Sequence, residues 1–416
     1  MAIYMFDYLC ICVCLINYRT FLIKYIFRKE RKSDLYPSPG VLSQGEEWHK
    51  NRSAVQQDMM RPKSAMQYIS DIEKITEELL NLMRQKRDIN HNLDVYPLLK
   101  LWSLESIASI FLAKRLYCFH SHTGNDDGKM MVDANRTMNQ ANLQLFIFPK
   151  IWQYFPHLIP AYRRFSKATE TMVNYTKATV DIALAKLDLE NESEQSILAK
   201  FARRNGRHSP LCSTMAQDAM IAGIDTTGTT STFLLYHLAT NPTKQEILYK
   251  EICNVVGSNN ESITEAKLNK MRYLKACLHE SQRISPATVG TSRMATHDFV
   301  LDGYQIKKGT LVIYFWQVAS NSSNNFINPE EYRPERWLRS SPESGSAHPF
   351  SSIPFGHGPR SCIGRRFATM EVYCLAIKIL QQFRLEYHGP PVDVITEFLN
   401  VPDKDVVLKL IDRNSC

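Results

Sequence analysis

One cysteine in a glycine-rich loop is the clearest candidate for chemistry in this sequence of 416 residues. The loop runs Phe355-Gly-His-Gly-Pro-Arg360-Ser-Cys362-Ile-Gly364, and an apolar stretch follows it. Glycines let the backbone approach a flat partner closely, and N–H groups at the start of a following helix can stabilise a thiolate. Most lone cysteines are buried structural residues, but the glycines and Arg360 favour a thiolate ligand here.

The loop resembles the haem-thiolate loop of the cytochromes P450, because it matches Phe-Gly-x-Gly-x-Arg-x-Cys-x-Gly at every fixed position. The resemblance implies haem b as the cofactor and Cys362 as the axial ligand of its iron. It also implies that Phe355 and Gly364 contribute to haem binding and that Arg360 pairs with a haem carboxylate.

Three further residues resemble the family's partners for the haem propionates. Trp48 and Arg52 are four residues apart, so they share one face of a predicted helix. An ordinary surface pair would look the same, but the spacing matches the Trp-x-x-x-Arg motif of the family. Arg293 matches another propionate donor. With Arg360, the resemblance gives three guanidinium groups for two carboxylates.

The segment 213–240 is predicted to form a helix, and this helix carries the most information about function. Gly223 and Gly228 weaken a helix interior, and threonine hydroxyls can bond the carbonyl four residues earlier and bend the helix. A kinked buried helix without chemistry would also explain this pattern. The segment resembles the oxygen-side helix of the cytochromes P450, which implies Asp225 and Thr226 as the catalytic pair for proton delivery.

Two separate motifs resemble the structural ion cluster of the same family. Glu280 and Arg283 are three residues apart on a predicted helix, and Arg336 belongs to a Pro-Glu-Arg motif. An exposed salt bridge has the same spacing and contributes little. The resemblance implies a buried triad of Glu280, Arg283 and Arg336 that stabilises the core behind the haem.

A third set of residues resembles the clan of animal cytochromes P450 that takes electrons from a ferredoxin in mitochondria. Lys275 matches a docking position of that clan, while His279 stands where a second lysine is common. Arg365 and Arg366 follow the cysteine loop and add positive charge. A solvated basic face is the alternative. The resemblance implies an adrenodoxin-like ferredoxin as a partner, bound through charges that salt screens.

The rest of the chain predicts a mainly α fold with a minor β part. Its hydrophobic content of 44% suffices for a sizeable core. Apolar residues at three- and four-residue spacing predict helices within 69–82, 98–112 and 162–187. The β-rich runs 299–306 and 309–315 predict two strands joined by a turn.

The N-terminus is shorter than the family pattern. Residues 1–33 form an atypical apolar and basic segment, and we expect one haem domain over 34–416 that lacks the N-terminal strands and the A and B helices. The longest clean apolar run in that segment has about nine residues, fewer than the roughly 20 of a membrane span. An incomplete gene model or a shortened isoform would explain the start.

Two functions are compatible with these residues. The first is a haem-thiolate monooxygenase that inserts one atom of O2 into a lipophilic substrate such as a sterol, an ecdysteroid or a xenobiotic. The second is a truncated haem-binding protein without turnover. The net charge of +8 suits an acidic protein or an anionic membrane. We expect peripheral contact with the mitochondrial inner membrane, or alternatively the endoplasmic reticulum membrane, and no nucleic-acid partner.

Overall fold

The computed structural model describes residues 45–119, 127–147, 155–187, 196–257, 261–342, 345 and 347–413. Most of these residues are helical and the strands are short, so the predicted fold class is confirmed. The atypical segment 1–33 and its predicted boundary with the haem domain lie outside the described residues.

The helices follow one another along the whole described chain. They are α1 (Gly45–Met59), α2 (Pro62–Met66), α3 (Ile69–Lys86), α4 (Tyr96–Leu112), α5 (Asp127–Ile147), α6 (Pro160–Lys186), α7 (Ile197–Asn205), α8 (Pro210–Thr240), α9 (Pro242–Val255), α10 (Glu265–Lys270), α11 (Arg272–Ile284), α12 (Trp316–Ser320) and α13 (Arg365–Gln382). Short 3₁₀ turns occupy Pro156–Leu158 and Pro334–Trp337.

The strands form four small antiparallel sheets. They are β1 (Asn92–Asp94), β2 (Thr291–Met294), β3 (Phe299–Leu301), β4 (Tyr304–Ile306), β5 (Leu311–Tyr314), β6 (Phe383–Glu386), β7 (Val394–Thr396), β8 (Asn400–Pro402) and β9 (Val407–Asp412). The described sheets have the orders β1-β9-β6, β2-β5, β3-β4 and β7-β8.

The expectation of two strands joined by a turn over 299–315 was wrong. Residues 299–306 already contain a complete hairpin, in which Phe299 is paired with Ile306. The third strand, β5, pairs with β2 instead, with Thr291 opposite Tyr314. The turn at Asp302 and Gly303 therefore divides what looked like one strand.

Helices α4 and α8 pack closely at the centre of the molecule. A Cβ on Gly223 would lie 3.1 Å from the Ile107 side chain, and one on Gly228 would lie 3.2 Å from the Lys100 Cα. Helix α8 is continuous through both glycines. The glycines therefore permit close packing against α4.

One connected hydrophobic core joins the described helices to the C-terminal strands. Trp102 on α4 is completely buried, and its indole N–H donates to Thr76 Oγ1 on α3 at 3.1 Å. Helix α13 packs against both α3 and α8, so the cysteine loop that precedes it lies next to this core. In the described ranges, no helix is both long enough and apolar enough to cross a bilayer.

Candidate active site

Cys362 lies in a tight loop directly before α13. Its N–H donates to the Phe355 carbonyl at 2.8 Å, and the Gly356 N–H donates to the Ile353 carbonyl at 2.7 Å. Gly356 and Gly358 have φ values of +70° and +77°, which glycine adopts without steric cost from a Cβ. The two glycines therefore turn the chain sharply enough to present Cys362.

The Cys362 sulfur is accessible even though protein surrounds it. The side chain is exposed, yet desolvation raises the pKa of its thiol. Hydrogen bonds from the Gly364 and Arg365 N–H groups, and the charges of Arg52 and Arg365, lower that pKa and so oppose the rise. A group that is both exposed and surrounded lies on the wall of a concavity, where the sulfur can meet a ligand.

Phe355 and Gly364 flank the thiol, as the sequence led us to expect for residues near the cofactor. The Phe355 ring centre lies 5.5 Å from Arg365 Cζ. A Cβ on Gly364 would lie 3.9 Å from the Cys362 sulfur, an ordinary contact distance. Their contribution to haem binding stays a prediction, but both are in place for it.

The structure brings the predicted propionate partners together beside this loop. The Arg52 Nη2 donates to the Ser361 carbonyl at 2.9 Å, and the Arg360 Cζ lies 4.0 Å from the Trp48 ring centre. Desolvation lowers the pKa of Arg360, and the nearby charges of Arg293 and Arg52 lower it further. Three guanidinium groups therefore lie close enough to repel one another.

This donor set fits a haem. Three neighbouring positive charges are matched by a ligand that brings carboxylates. The buried Arg52 Nε has no hydrogen-bond acceptor in the described part of the chain. The Arg52 charge also interacts with Cys362, so one flat, acid-bearing ligand can meet both the guanidinium groups and the sulfur.

Thr226 lies on an accessible stripe of α8. Ala219, Ala222 and Thr226 recur at three- and four-residue spacing and keep accessible surface, whereas Ile224 and Asp225 are buried. The Thr226 hydroxyl donates to the Ala222 carbonyl at 2.8 Å. The stripe provides a hydroxyl group on a helix face that is otherwise lined by small residues.

Asp225 points toward α4 and α5, away from this stripe. Its Oδ1 lies 2.7 Å from Lys100 Nζ, so the two groups form an ion pair. The geometry of this contact is not that of a hydrogen bond. Its Oδ2 accepts from Asn139 Nδ2 at 2.7 Å. The Asp225 and Thr226 side chains, although adjacent in sequence, make no hydrogen bond to each other.

The sequence motifs do not identify Lys100 or Asn139. A signal for Lys100 was present, because it stands between Leu99 and Leu101 in a strongly apolar helix. A lysine is rarely buried without a partner, so this position alone indicated a buried acidic group opposite it. Asn139 had no comparable signal.

The structure also assembles Glu280, Arg283 and Arg336. Arg283 makes two hydrogen bonds to the Glu280 carboxylate, at 3.0 and 2.9 Å, and Arg336 Nε donates to Glu280 Oε1 at 3.1 Å. All three residues are buried. The indole N–H of Trp337 donates to Glu280 Oε2 at 2.8 Å. The sequence motifs do not identify this residue.

The predicted docking residues lie on α11 and at the start of α13. Lys275 is half-buried and donates to the Asn269 carbonyl at 2.9 Å, whereas Arg365 and Arg366 are exposed. The Arg365 charge lowers the pKa of His279, after desolvation as the larger cause, so the two helices meet here. We call Lys275, Arg365 and Arg366 the proximal basic surface.

The chain is similar to known proteins over most of its length. The sequence model for "Cytochrome P450" matches residues 30–409. The chain is 31% identical to "Cytochrome P450 CYP12A2" of Musca domestica, over 92% of this chain and 75% of that protein. It is 30% identical to "Cytochrome P450 302a1, mitochondrial" of Drosophila melanogaster, over 92% and 78%.

A third relative is "Cytochrome P450 12b1, mitochondrial" of Drosophila acanthoptera, 29% identical over 87% of this chain and 69% of that protein. The matched region contains every motif discussed above, from the Trp48 helix to the Cys362 loop. The chain therefore belongs to the cytochrome P450 family, the haem b-dependent monooxygenases.

Proposed function

We propose that this monooxygenase acts on a lipophilic small molecule, of the sterol, ecdysteroid or xenobiotic class, with electrons from a ferredoxin. The observation that carries the proposal is the accessible Cys362 thiol beneath the N–H groups of Gly364 and Arg365. In the net reaction, one atom of O2 enters a C–H bond of the substrate and the other leaves as water. The ferredoxin supplies two electrons and the solvent two protons.

The residues around Cys362 have separate tasks in this proposal. Haem b, when bound, supplies the iron at which O2 is activated. Cys362 Sγ would hold its iron, and the Gly364 and Arg365 N–H groups stabilise negative charge on that sulfur. Arg52 and Arg360 would hold the propionates, together with Arg293 and Trp48.

Thr226 and Asp225 are the residues that we propose for proton delivery. The Thr226 hydroxyl lies on the accessible stripe of α8, where its Oγ1 can accept one proton and donate another. The Asp225 carboxylate can take a proton from water at an Oδ atom once that atom is released from Lys100 or Asn139. The two side chains thus act in sequence only after Asp225 changes its contacts.

The proximal basic surface supports a ferredoxin as the electron donor. Its charges lie close to the thiol loop, because the Arg365 charge reaches both His279 and Cys362. Two of the relatives are named mitochondrial. We therefore propose that the chain works in mitochondria, in peripheral contact with the inner membrane.

A spectrum of the purified protein tests the cofactor site. The reduced protein treated with CO should show the red-shifted Soret band of thiolate ligation, and Cys362→Ser should abolish that band. A wild-type spectrum without the thiolate band would reject the site. Cys374→Ser, which changes a buried cysteine on α13, is the control and should keep the band.

Turnover distinguishes the monooxygenase from a haem-binding protein without catalysis. The protein is mixed with a ferredoxin, its reductase, NADPH and a panel of sterols and xenobiotics, and oxygenated product is measured against released peroxide. Product above the peroxide level supports the proposal. Reduction and peroxide release without product, in a protein that shows the thiolate band, would favour the non-catalytic alternative.

A further inference from the structure

The contact between Lys100 and Asp225 is unusual for its burial. Their side chains are only 5% and 3% exposed, and Nζ lies 2.7 Å from Oδ1. Two charges in such a place cost several kcal/mol of solvation each unless they pair well. The pair joins the two helices that pack most closely. Asp225 is itself proposed for proton delivery, and Thr226 is its neighbour in sequence.

The packing of α4 on α8 fixes where the Lys100 ammonium lies. A Cβ on Gly228 would lie 3.1 Å from Lys100 Cγ. The absence of a side chain at Gly228 therefore leaves room for the Lys100 side chain. The Lys100 Nζ lies 5.0 Å from the Tyr96 ring centre, a distance suited to a cation–π contact. The ammonium therefore has one well-supported position, in front of Asp225.

Helix α5 supplies the second contact to the carboxylate. Asn139 Nδ2 donates to Asp225 Oδ2 at 2.7 Å, while Lys100 takes Oδ1. Both oxygens are thus engaged on the side opposite the accessible stripe. Asp225 can reach toward Thr226 only by giving up one of these contacts.

We propose that Lys100 is a positioning residue, which holds the Asp225 carboxylate turned away from Thr226 until a proton is needed. The proposal rests on the proposed function. In the proposed function, Lys100 contacts neither the substrate nor the cofactor. Its part is to balance the charge and to set the direction of the Asp225 carboxylate.

The other titratable groups near Asp225 leave this task to Lys100. Tyr96 on α4 interacts with the charge of Asp225. It also interacts with the charges of Glu397, in the turn after β7, and Arg136, on α5. Tyr96 has its pKa raised by desolvation, so it is neutral at physiological pH. Lys100 is the positively charged group in contact with Asp225 in the described chain.

The first test compares Lys100→Met with Lys378→Met in the holoprotein. Lys378 is equally buried and pairs with Glu73 at 3.1 Å, away from Asp225, so it controls for the loss of any buried lysine. Product formed per NADPH is measured between pH 6 and 9. Without the ammonium, the buried Asp225 carboxylate loses the positive charge that balances it, so Lys100→Met should move this profile by about one pH unit or more to higher pH.

The Lys378→Met profile should keep its wild-type position. A Lys100→Met profile at the wild-type position, or an equal shift in both variants, would overturn the proposal. The result differs from failure of the proposed function, which would leave the wild-type protein itself without product.

The second test does not depend on activity. Unfolding by urea is measured for Lys100→Met, Asp225→Asn and the double variant. The single Lys100→Met change strands a buried carboxylate, whereas in the Asp225→Asn background it strands none. Lys100→Met should raise the equilibrium constant of unfolding, and we expect this rise to be at least tenfold smaller in the Asp225→Asn background than in the wild type. Equal effects in both backgrounds would show that the two residues are not coupled and would overturn the proposal.

Discussion

Glu371 carries a buried carboxyl group in the second turn of α13. The side chain is 2% exposed, and its Oε1 has no hydrogen-bond donor in the described part of the chain. Burial therefore raises the pKa of Glu371 to about 8. At neutral pH the folded protein keeps this residue mostly protonated, because the charged form would lack both solvent and partner.

This shift predicts how stability depends on pH. Between the ordinary pKa of 4.5 and about 8, the folded state binds more protons than the unfolded state, so stability decreases as pH rises. Glu371→Gln should remove that decline. We expect its free energy of unfolding to exceed that of the wild type by about 1–3 kcal/mol at pH 8 and to equal it near pH 4.

Urea unfolding at several pH values measures the effect. Glu330→Gln changes an exposed glutamate and should leave the pH dependence unchanged. If Glu371→Gln follows the wild-type curve across this window, the carboxyl group ionises in the folded protein as freely as it does in the unfolded chain.

At the residue scale, the sequence predicted those groups whose types are dictated by a ligand or by each other. Cys362 and its glycines stand within one short loop, and Glu280 and Arg283 stand one helical turn apart, so local spacing reveals them. The Lys100 contact with Asp225 joins residues 125 positions apart across two helices. Local spacing carries no information on such a pair.

At the scale of elements, the helices were predictable and the hairpin was not. The apolar residues marked α3, α4 and α6 to within a few residues, because α3 and α6 each bury one face and α4 is buried on nearly every side. The β3–β4 hairpin depends on Asp302 and Gly303, whose φ values of +48° and +79° match a turn with both central residues left-handed. The sequence contains this Asp-Gly signal within the run 299–306, whose residue types predict a single strand.

The pairing of α4 with α8 gives a prediction about Gly228. A Cβ there meets the Lys100 backbone at 3.2 Å, and backbone cannot move aside as a flexible side chain can. Gly228→Val should therefore separate the helices and lower the free energy of unfolding by about 1–3 kcal/mol or more.

Urea unfolding again provides the measurement, and Ala222→Val on the same helix is the matched control. Ala222 lies on the accessible stripe, so its change should stay within about 0.5 kcal/mol of the wild type. Equal losses in the two variants would mean that the β-branched side chain weakens the helix itself and that close packing at Gly228 is not the cause.

At the scale of the whole molecule, the ion cluster around Glu280 joins α11 to a segment more than 45 residues further along the chain. Arg283 on α11 donates to the Pro329 carbonyl at 2.7 Å, and Arg336 in the 3₁₀ turn binds Glu280 on α11. These contacts fix α11, which carries Lys275, to the segment from Pro329 to the 3₁₀ turn. Lys275, one of the residues that we propose for ferredoxin docking, thus lies on a helix that buried ion pairs anchor.

Arg366→Gln tests the proximal basic surface. The exposed charge should act mainly on encounter with an acidic ferredoxin, so the association rate at low ionic strength should fall about two- to tenfold. Near 1 M salt, where screening shortens the Debye length to about 3 Å, the difference should disappear. Stopped-flow reduction of the haem by reduced ferredoxin, followed across a salt series, measures the rate.

Arg384→Gln is the control, because Arg384 is an exposed arginine on β6 that lies outside the proximal basic surface. Its loss should leave the association rate within the error of the wild type at every salt concentration. Equal effects of the two variants would show that the ferredoxin responds to the net charge of the molecule. An effect of Arg366→Gln that persists at high salt would instead point to a change in the thiol loop itself, since Arg366 lies four residues from Cys362.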